Sequence, residues 1–247
     1  MIFRQLFERE SSTYTYLIAC EETRAAALID TVKEEVPKYL QLLKELDLQL
    51  VHVLDTHTHA DHVTGAGDLR DATGCVTLLG EKSNSVCVSK PLQDGDAINI
   101  GSLTLKALFT PGHTDDSYSF LLDHQGQTYV FTGDTLLIRG TGRTDFQNGS
   151  ATDQYHSLFD TLLRLPDDTV VYPAHDYKGW TLSTIAEETA HNPRLQVRDI
   201  QAYVELMNNL KLPNPKMMDV AVPANQACGQ PGIQPTNPTD RGQGFQG

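Results

Sequence analysis

Between positions 57 and 62 the chain places His57, His59, Asp61 and His62 in an H-x-H-x-D-H order, with only small residues between them. Neutral imidazole and carboxylate are ligands for borderline transition metals. One histidine beside an aspartate reads as a turn, whereas four potential ligands packed this closely read as a metal site. Three more potential ligands follow small or proline residues further on: His113 in Thr-Pro-Gly-His-Thr, Asp134 in Thr-Gly-Asp-Thr and His175 in Tyr-Pro-Ala-His-Asp. Each alone is a turn residue; their recurrence at the exits of apolar runs is what marks them. His52, His124, His156 and His191 lack that context and are read as structural or surface histidines.

The elements that must position these groups are short. The apolar run 48–54 is a buried strand, so the first cluster sits where the chain leaves a sheet, and a rigid scaffold fixes its ligand angles. Upstream, 13–19 and 25–29 read as a hairpin around a polar turn, and Val36, Leu40, Leu43 and Leu46 recur at helical spacing. Further strands are expected at 76–79, 97–100, 103–109, 119–122, 129–132 and 169–172, with Asp94-Gly95 and Gly101 as turn markers. Helices are expected at 68–72, 155–165, 182–189 and 197–208. Strand, helix, strand order of this kind implies mixed α and β layers.

Composition bounds the rest. The sequence of 247 residues carries a formal net charge of -13, which disfavours nucleic acid and anionic membranes as partners. An anionic substrate therefore needs a local cluster of Arg, Lys or metal charge. No apolar stretch approaches the roughly 20 residues of a bilayer span. Residues 1–8 show neither the apolar core nor the cleavage signal of a secretory leader, so a cytoplasmic location is expected. Cys20, Cys75, Cys87 and Cys228 form no C-x-x-C pair and are read as free thiols in a reducing compartment. Residues 228–247, rich in Gly, Pro, Gln, Asn and Thr, read as a disordered tail beyond a domain at 1–227.

With H-x-H-x-D-H followed by separate His, Asp and His ligands, the chain resembles the metallo-β-lactamase superfamily. The resemblance implies an α+β fold, an αββα sandwich: two mixed sheets packed face to face, helices outside, and the metal site along one edge. The ligand motif leaves two arrangements open. Two metals would be held through His57, His59 and His113 and through Asp61, His62 and His175, with Asp134 bridging, to generate a hydroxide for hydrolysis. A single iron would be held by His57, His113 and Asp134, leaving open positions for dioxygen and substrate.

The flanking segments favour the second arrangement. Residues 136–147, 173–177, 192–195, 209–213 and 221–225 resemble the ETHE1-type persulfide dioxygenases. That resemblance implies oxidation of glutathione persulfide, with dioxygen and water, to glutathione and sulfite at one Fe(II) per chain. His57, His113 and Asp134 would be the ligands and catalytic centre, with His59, Asp61, His62 and His175 orienting them or moving protons. Related enzymes are often homodimers. Tyr177 and Arg194 are the candidates for gripping the glutathione carboxylates. Arg143 is a third, although a salt bridge with Asp145 is the stronger reading of it. The chain departs from the family at Asp115-Asp116-Ser117-Tyr118, where Pro-Gly is common and where the acids are placed to alter the pocket rim, and at Thr141, where Cys is common. The rival readings are a glyoxalase II-like hydroxyacylglutathione hydrolase with two metals and, more distantly, a non-catalytic metal-binding sensor.

Overall fold

The computed structural model describes residues 1–213 and 217–230. Strands β1 (Ile2–Phe7), β2 (Tyr14–Ala19), β3 (Ala25–Ile29), β4 (Gln49–Leu54), β5 (Val76–Gly80) and β6 (Lys90–Leu92) form one sheet in chain order. Strands β7 (Ala97–Ile100), β8 (Leu103–Phe109), β9 (Tyr118–His124), β10 (Gln127–Gly133), β11 (Val170–Pro173) and β12 (Ser183–Thr184) form the other, ordered β12-β11-β10-β9-β8-β7. Both sheets are mixed: β3 to β6 run parallel in the first, and β10 and β11 run parallel in an otherwise antiparallel second.

Patterning explains the layers. In β8 the side chains of Leu103, Leu105 and Ala107 point inward while Thr104 and Lys106 face out, as a half-buried strand requires. In β2 every residue is buried, because both faces are covered. Tyr14, Tyr16 and Ile18 join the inter-sheet core with Phe120, Phe131 and Tyr172. Leu17 and Ala19 pack instead with Tyr39 and Leu43 of helix α1 (Val36–Glu45) and Leu69 of α2 (Ala66–Thr73). On the far side Val130 and Val171 meet Ala151 of α3 (Ala151–His156), Ile185 of α4 (Ile185–His191) and Tyr203 of α5 (Ile200–Asn208). The result is the expected αββα sandwich.

Parallel pairing of β3 with β4 and of β10 with β11 brings their C-terminal ends to one edge. Two antiparallel steps, β8 to β9 and β9 to β10, give β8 the same direction as β10. Five strand exits therefore open onto a single rim.

Several expectations need correction. Strand β1 was not marked by apolar alternation, because its partly exposed residues lie at a sheet edge. The helix expected at 155–165 begins at Ala151, where the Ser150 side chain accepts from Asp153 N, then widens over Ser157–Thr161 and tightens over Leu162–Arg164. The helix expected from 197 begins at Ile200, capped by Asp199. Helix α6 (Met218–Gln226) forms despite Pro223. Cys87 and Cys228 are joined in a disulfide, so only Cys20 and Cys75 are free, and the thiol count no longer supports a reducing compartment. The expected tail at 228–247 lies outside the described residues from 231 onward. Residues 228–230 are packed: Cys228 O accepts from Gly67 N at 3.1 Å, and Gly229 O accepts from Lys33 Nζ at 2.7 Å.

Candidate metal centre

The loop after β4 turns His57, His59 and His62 inward, and all three imidazoles are buried. Asp30, at the exit of β3, fixes the start of that loop by accepting from Thr56 N at 2.7 Å and Thr56 Oγ1 at 3.1 Å. With its own hydrogen committed to Asp30, the Thr56 hydroxyl accepts from His57 Nδ1 at 2.9 Å. His57 Nε2 is thereby left as the unprotonated, ligand-capable atom.

His113, after β8, is held the same way. Its Nδ1 donates to Arg143 O at 2.7 Å, and a carbonyl can only accept, so Nε2 carries the lone pair. Nε2 lies 3.5 Å from Asp134 Oδ2, while Asp134 Oδ1 accepts from His175 Nδ1 at 2.6 Å. His57, His113 and Asp134 thus bring one donor atom each to within 4.8 Å of one another, and each opposite atom is occupied by protein. The donor set and its supports fit a transition metal, which these three residues would hold, and two of them, His113 and Asp134, line the cavity.

Two glycines make this approach possible. Gly142 passes so close that a Cβ there would meet Asp134 O and lie 2.7 Å from His113 Nδ1. Gly133, with φ +53, turns the chain out of β10, and its added Cβ would lie 2.7 Å from Thr56 Oγ1.

The remaining four ligand candidates are arranged differently. His59 Nε2 pairs with Asp30 Oδ1 at 3.0 Å, and its Nδ1 is buried without a partner. His175 donates to Asp134 through Nδ1 and to Asp61 Oδ2 through Nε2 at 2.8 Å, while His62 Nδ1 lies 2.9 Å from the same oxygen. His62 and His175 are therefore both committed to Asp61 Oδ2. The second set of donor atoms that converges within 4.8 Å is His59, Asp61 and His62, without His175.

Electrostatics follow the packing. Burial, together with neighbouring His59 and His113, pushes His57 well below the usual histidine range, which keeps it neutral and available as a ligand. Burial opposes charge on His59 and His175, but the adjacent carboxylates outweigh it: Asp30 holds His59 at about 9, and Asp134 and Asp61 hold His175 well above its ordinary value.

A cavity of about 1190 Å³ opens over Asp134, His113 and His175. Its wall carries Arg139, Arg143, Lys178 and Arg194 together with Glu8, Glu10, Glu34, Glu35 and Asp176, so positive charge for an anionic substrate is local to part of the wall. Tyr177 is 71% exposed and stacks on His175 with an interplanar angle of 2°. Arg194 Nη1 donates to Thr141 O and to Thr141 Oγ1. Arg143 grips Asp145 with two hydrogen bonds, at 2.6 and 2.7 Å, as its salt-bridge reading required. Asp115 and Asp116 do not line the cavity. Asp116 is buried and accepts from Thr58 N at 3.1 Å and Thr58 Oγ1 at 2.6 Å, so its role is to pin the histidine loop rather than to shape a rim.

Residues 9–84 and 88–175 match the family model described as the metallo-beta-lactamase superfamily. The human persulfide dioxygenase ETHE1, mitochondrial, is 46% identical over 231 residues, which cover 93% of this chain and 89% of that protein. The chain belongs to the metallo-beta-lactamase superfamily and, within it, to the ETHE1 persulfide dioxygenase family. A crystal structure of ETHE1 from Myxococcus xanthus superposes with a TM-score of 0.89 at 54% identity, covering 93% of this chain and all of that one. A probable hydroxyacylglutathione hydrolase of Schizosaccharomyces pombe is 41% identical, but over only 66% of this chain and 64% of its own length. Among the described residues no helix is long and apolar enough to cross a membrane.

Sequence reasoning missed the supports of this family member's site. Asn225, on α6, donates to His59 O at 2.9 Å and His62 O at 2.8 Å and accepts from Thr64 N at 2.8 Å. Asp30 was passed over as a residue following a strand. The signal available for both was position alone: Asp30 ends a run that pairs with the ligand-bearing strand, and Asn225 lies in a segment matched to the family.

Proposed function

We propose that the chain oxidises glutathione persulfide with dioxygen and water to glutathione and sulfite, releasing two protons, at one iron held by His57, His113 and Asp134. The observation that carries this reading is the reach of its likeness to persulfide dioxygenases, which covers 93% of this chain where likeness to the hydrolase covers 66%. The His57, His113 and Asp134 donors, each with its opposite atom held by protein, beside His62 and His175 that are both committed to Asp61 Oδ2, support a mononuclear centre over a binuclear one.

When bound, Fe(II) supplies open coordination positions at which dioxygen and a sulfur anion are brought together. The chain's own groups do the rest. Thr56 and the Arg143 carbonyl fix the tautomers of His57 and His113, and His175 holds Asp134 ionised. His175 carries a proton on Nδ1 and another on Nε2, within reach of the cavity it lines. Arg194 and Tyr177 orient the glutathione portion, and Arg143 adds positive charge to the same wall. A cytoplasmic location is retained as part of this reading.

Protein purified without added metal is expected to contain one iron per chain and to consume one dioxygen per sulfite formed from glutathione persulfide. Two zinc ions per chain, with hydrolysis of S-lactoylglutathione and no oxygen uptake, would replace the dioxygenase with the hydrolase.

Arg194→Ala is expected to raise KM for glutathione persulfide by roughly tenfold or more, the size of one charge-assisted hydrogen bond of about 1.5–3 kcal/mol, with a smaller effect on kcat. An unchanged KM would remove Arg194 from the substrate contacts and leave it as a brace for Thr141.

A further inference from the structure

Thr13, at the entrance to β2, is fully buried, and its hydroxyl touches Asp61, His62 and His175 together. Its Oγ1 lies 3.3 Å from Asp61 Oδ2, 3.3 Å from His62 Nδ1 and 3.1 Å from His175 Nε2. The position is not adjustable. Thr13 forms an antiparallel bridge with His175, its carbonyl accepts from Glu8 N at 2.9 Å, and the next residue's N donates to Ala174 O at 2.7 Å. The hydroxyl is anchored from behind as well, 2.7 Å from Ser11 Oγ, which donates to Glu8 Oε2 at 2.6 Å.

We infer that Thr13 is the residue that keeps this centre mononuclear, by occupying with its hydroxyl the point at which Asp61, His62 and His175 would otherwise close on a second metal. The inference rests on the single-iron reading proposed above. A metal held by these donors needs about 2.0–2.2 Å to each nitrogen or oxygen, and therefore needs the space between them. A neutral alcohol is a poor ligand beside imidazole and carboxylate, so the hydroxyl blocks the site without completing it. It also rewards the closed arrangement: each imidazole N–H donates to Asp61 Oδ2 at 2.8–2.9 Å and is shared with Oγ1 at the longer 3.1–3.3 Å. Opening the cluster would leave these buried groups unpaired. Among the described residues, no hydroxyl is hydrogen-bonded to more than one member of the His57, His113 and Asp134 set.

The test is metal stoichiometry, measured by elemental analysis after equilibrium dialysis of the full chain against Co(II). Wild type is expected to hold one equivalent and Thr13→Ala two, with affinity for the second raised by about 10- to 100-fold, the range by which groups supporting metal ligands act. Thr13→Ser, which keeps the hydroxyl, is expected to stay at one. A folded Thr13→Ala variant that binds one equivalent, or a Thr13→Ser variant that binds two, would overturn the role of Thr13 while leaving the single-metal reading intact. Two equivalents on wild type would instead remove the single-metal reading on which the inference rests.

Discussion

His57→Ala is expected to abolish both iron binding and persulfide oxidation, with the protein purifying essentially free of metal. The size follows from what the imidazole contributes. Side chains that merely orient a ligand change metal affinity by about 10- to 100-fold, and His57 supplies one of the three donor atoms of the His57, His113 and Asp134 set. Its contribution is also prepared in advance: burial and the neighbouring imidazoles keep it neutral, so no proton has to be displaced before it binds. Alanine leaves His113 and Asp134 as a two-point site, and Thr56 then holds nothing in register. Elemental analysis decides the matter, with His62→Ala as the comparison, because His62 belongs to the closed cluster and its loss is expected to leave the iron in place. Normal iron content in His57→Ala would sink the assignment of the three ligands.

The ligands themselves were legible because each follows an apolar run and is preceded by small or proline residues, a combination that strand ends impose locally. What gathers them on one rim was less so. The parallel alignment of β3 with β4 and of β10 with β11 depends on pairings between distant segments, and periodicity reports only that a strand exists. The supports were hidden for a related reason. Thr13, Asp30, Thr56, Asp116 and Asn225 are common residue types whose significance lies entirely in partners tens of residues away or more, apart from Thr56 beside His57. The Cys87–Cys228 bond spans 141 residues and could not be deduced from spacing. It ties the segment after α6 to the loop before β6, next to the helix whose Asn225 clamps the histidine loop. Helix α6 itself escaped notice because Pro223 argues against a helix interior, and its burial through Ala221 and Asn225 compensates.

Glu188→Ala is expected to produce the largest loss of stability of any single substitution at the cavity wall. Glu188 sits on α4 and is fully buried, yet it carries a carboxylate. Four donors converge on it: Arg139 N at 2.8 Å, Ser183 Oγ at 2.6 Å, Asn192 Nδ2 at 2.8 Å and the Arg139 guanidinium. Arg139 is in the left-handed region at φ 57, and the hydrogen bond from its backbone N to Glu188 helps to hold that conformation. Alanine would strand these donors and leave the inner face of the guanidinium without its counter-charge. Breaking a buried pair in this way costs about 3–5 kcal/mol, and in a chain of this size that corresponds to a fall in Tm on the order of 10 °C. Because residues 137–143 line the cavity and Asn192 also donates to Gly140 O at 2.9 Å, the loosened wall is expected to raise KM for the persulfide even where the enzyme stays folded. Glu188→Gln separates charge from shape: it keeps two polar atoms in place, so a loss of stability close to that of alanine would assign the effect to the carboxylate charge. A Tm for Glu188→Ala within 2 °C of wild type would show that Arg139 finds adequate partners in Glu187 and solvent.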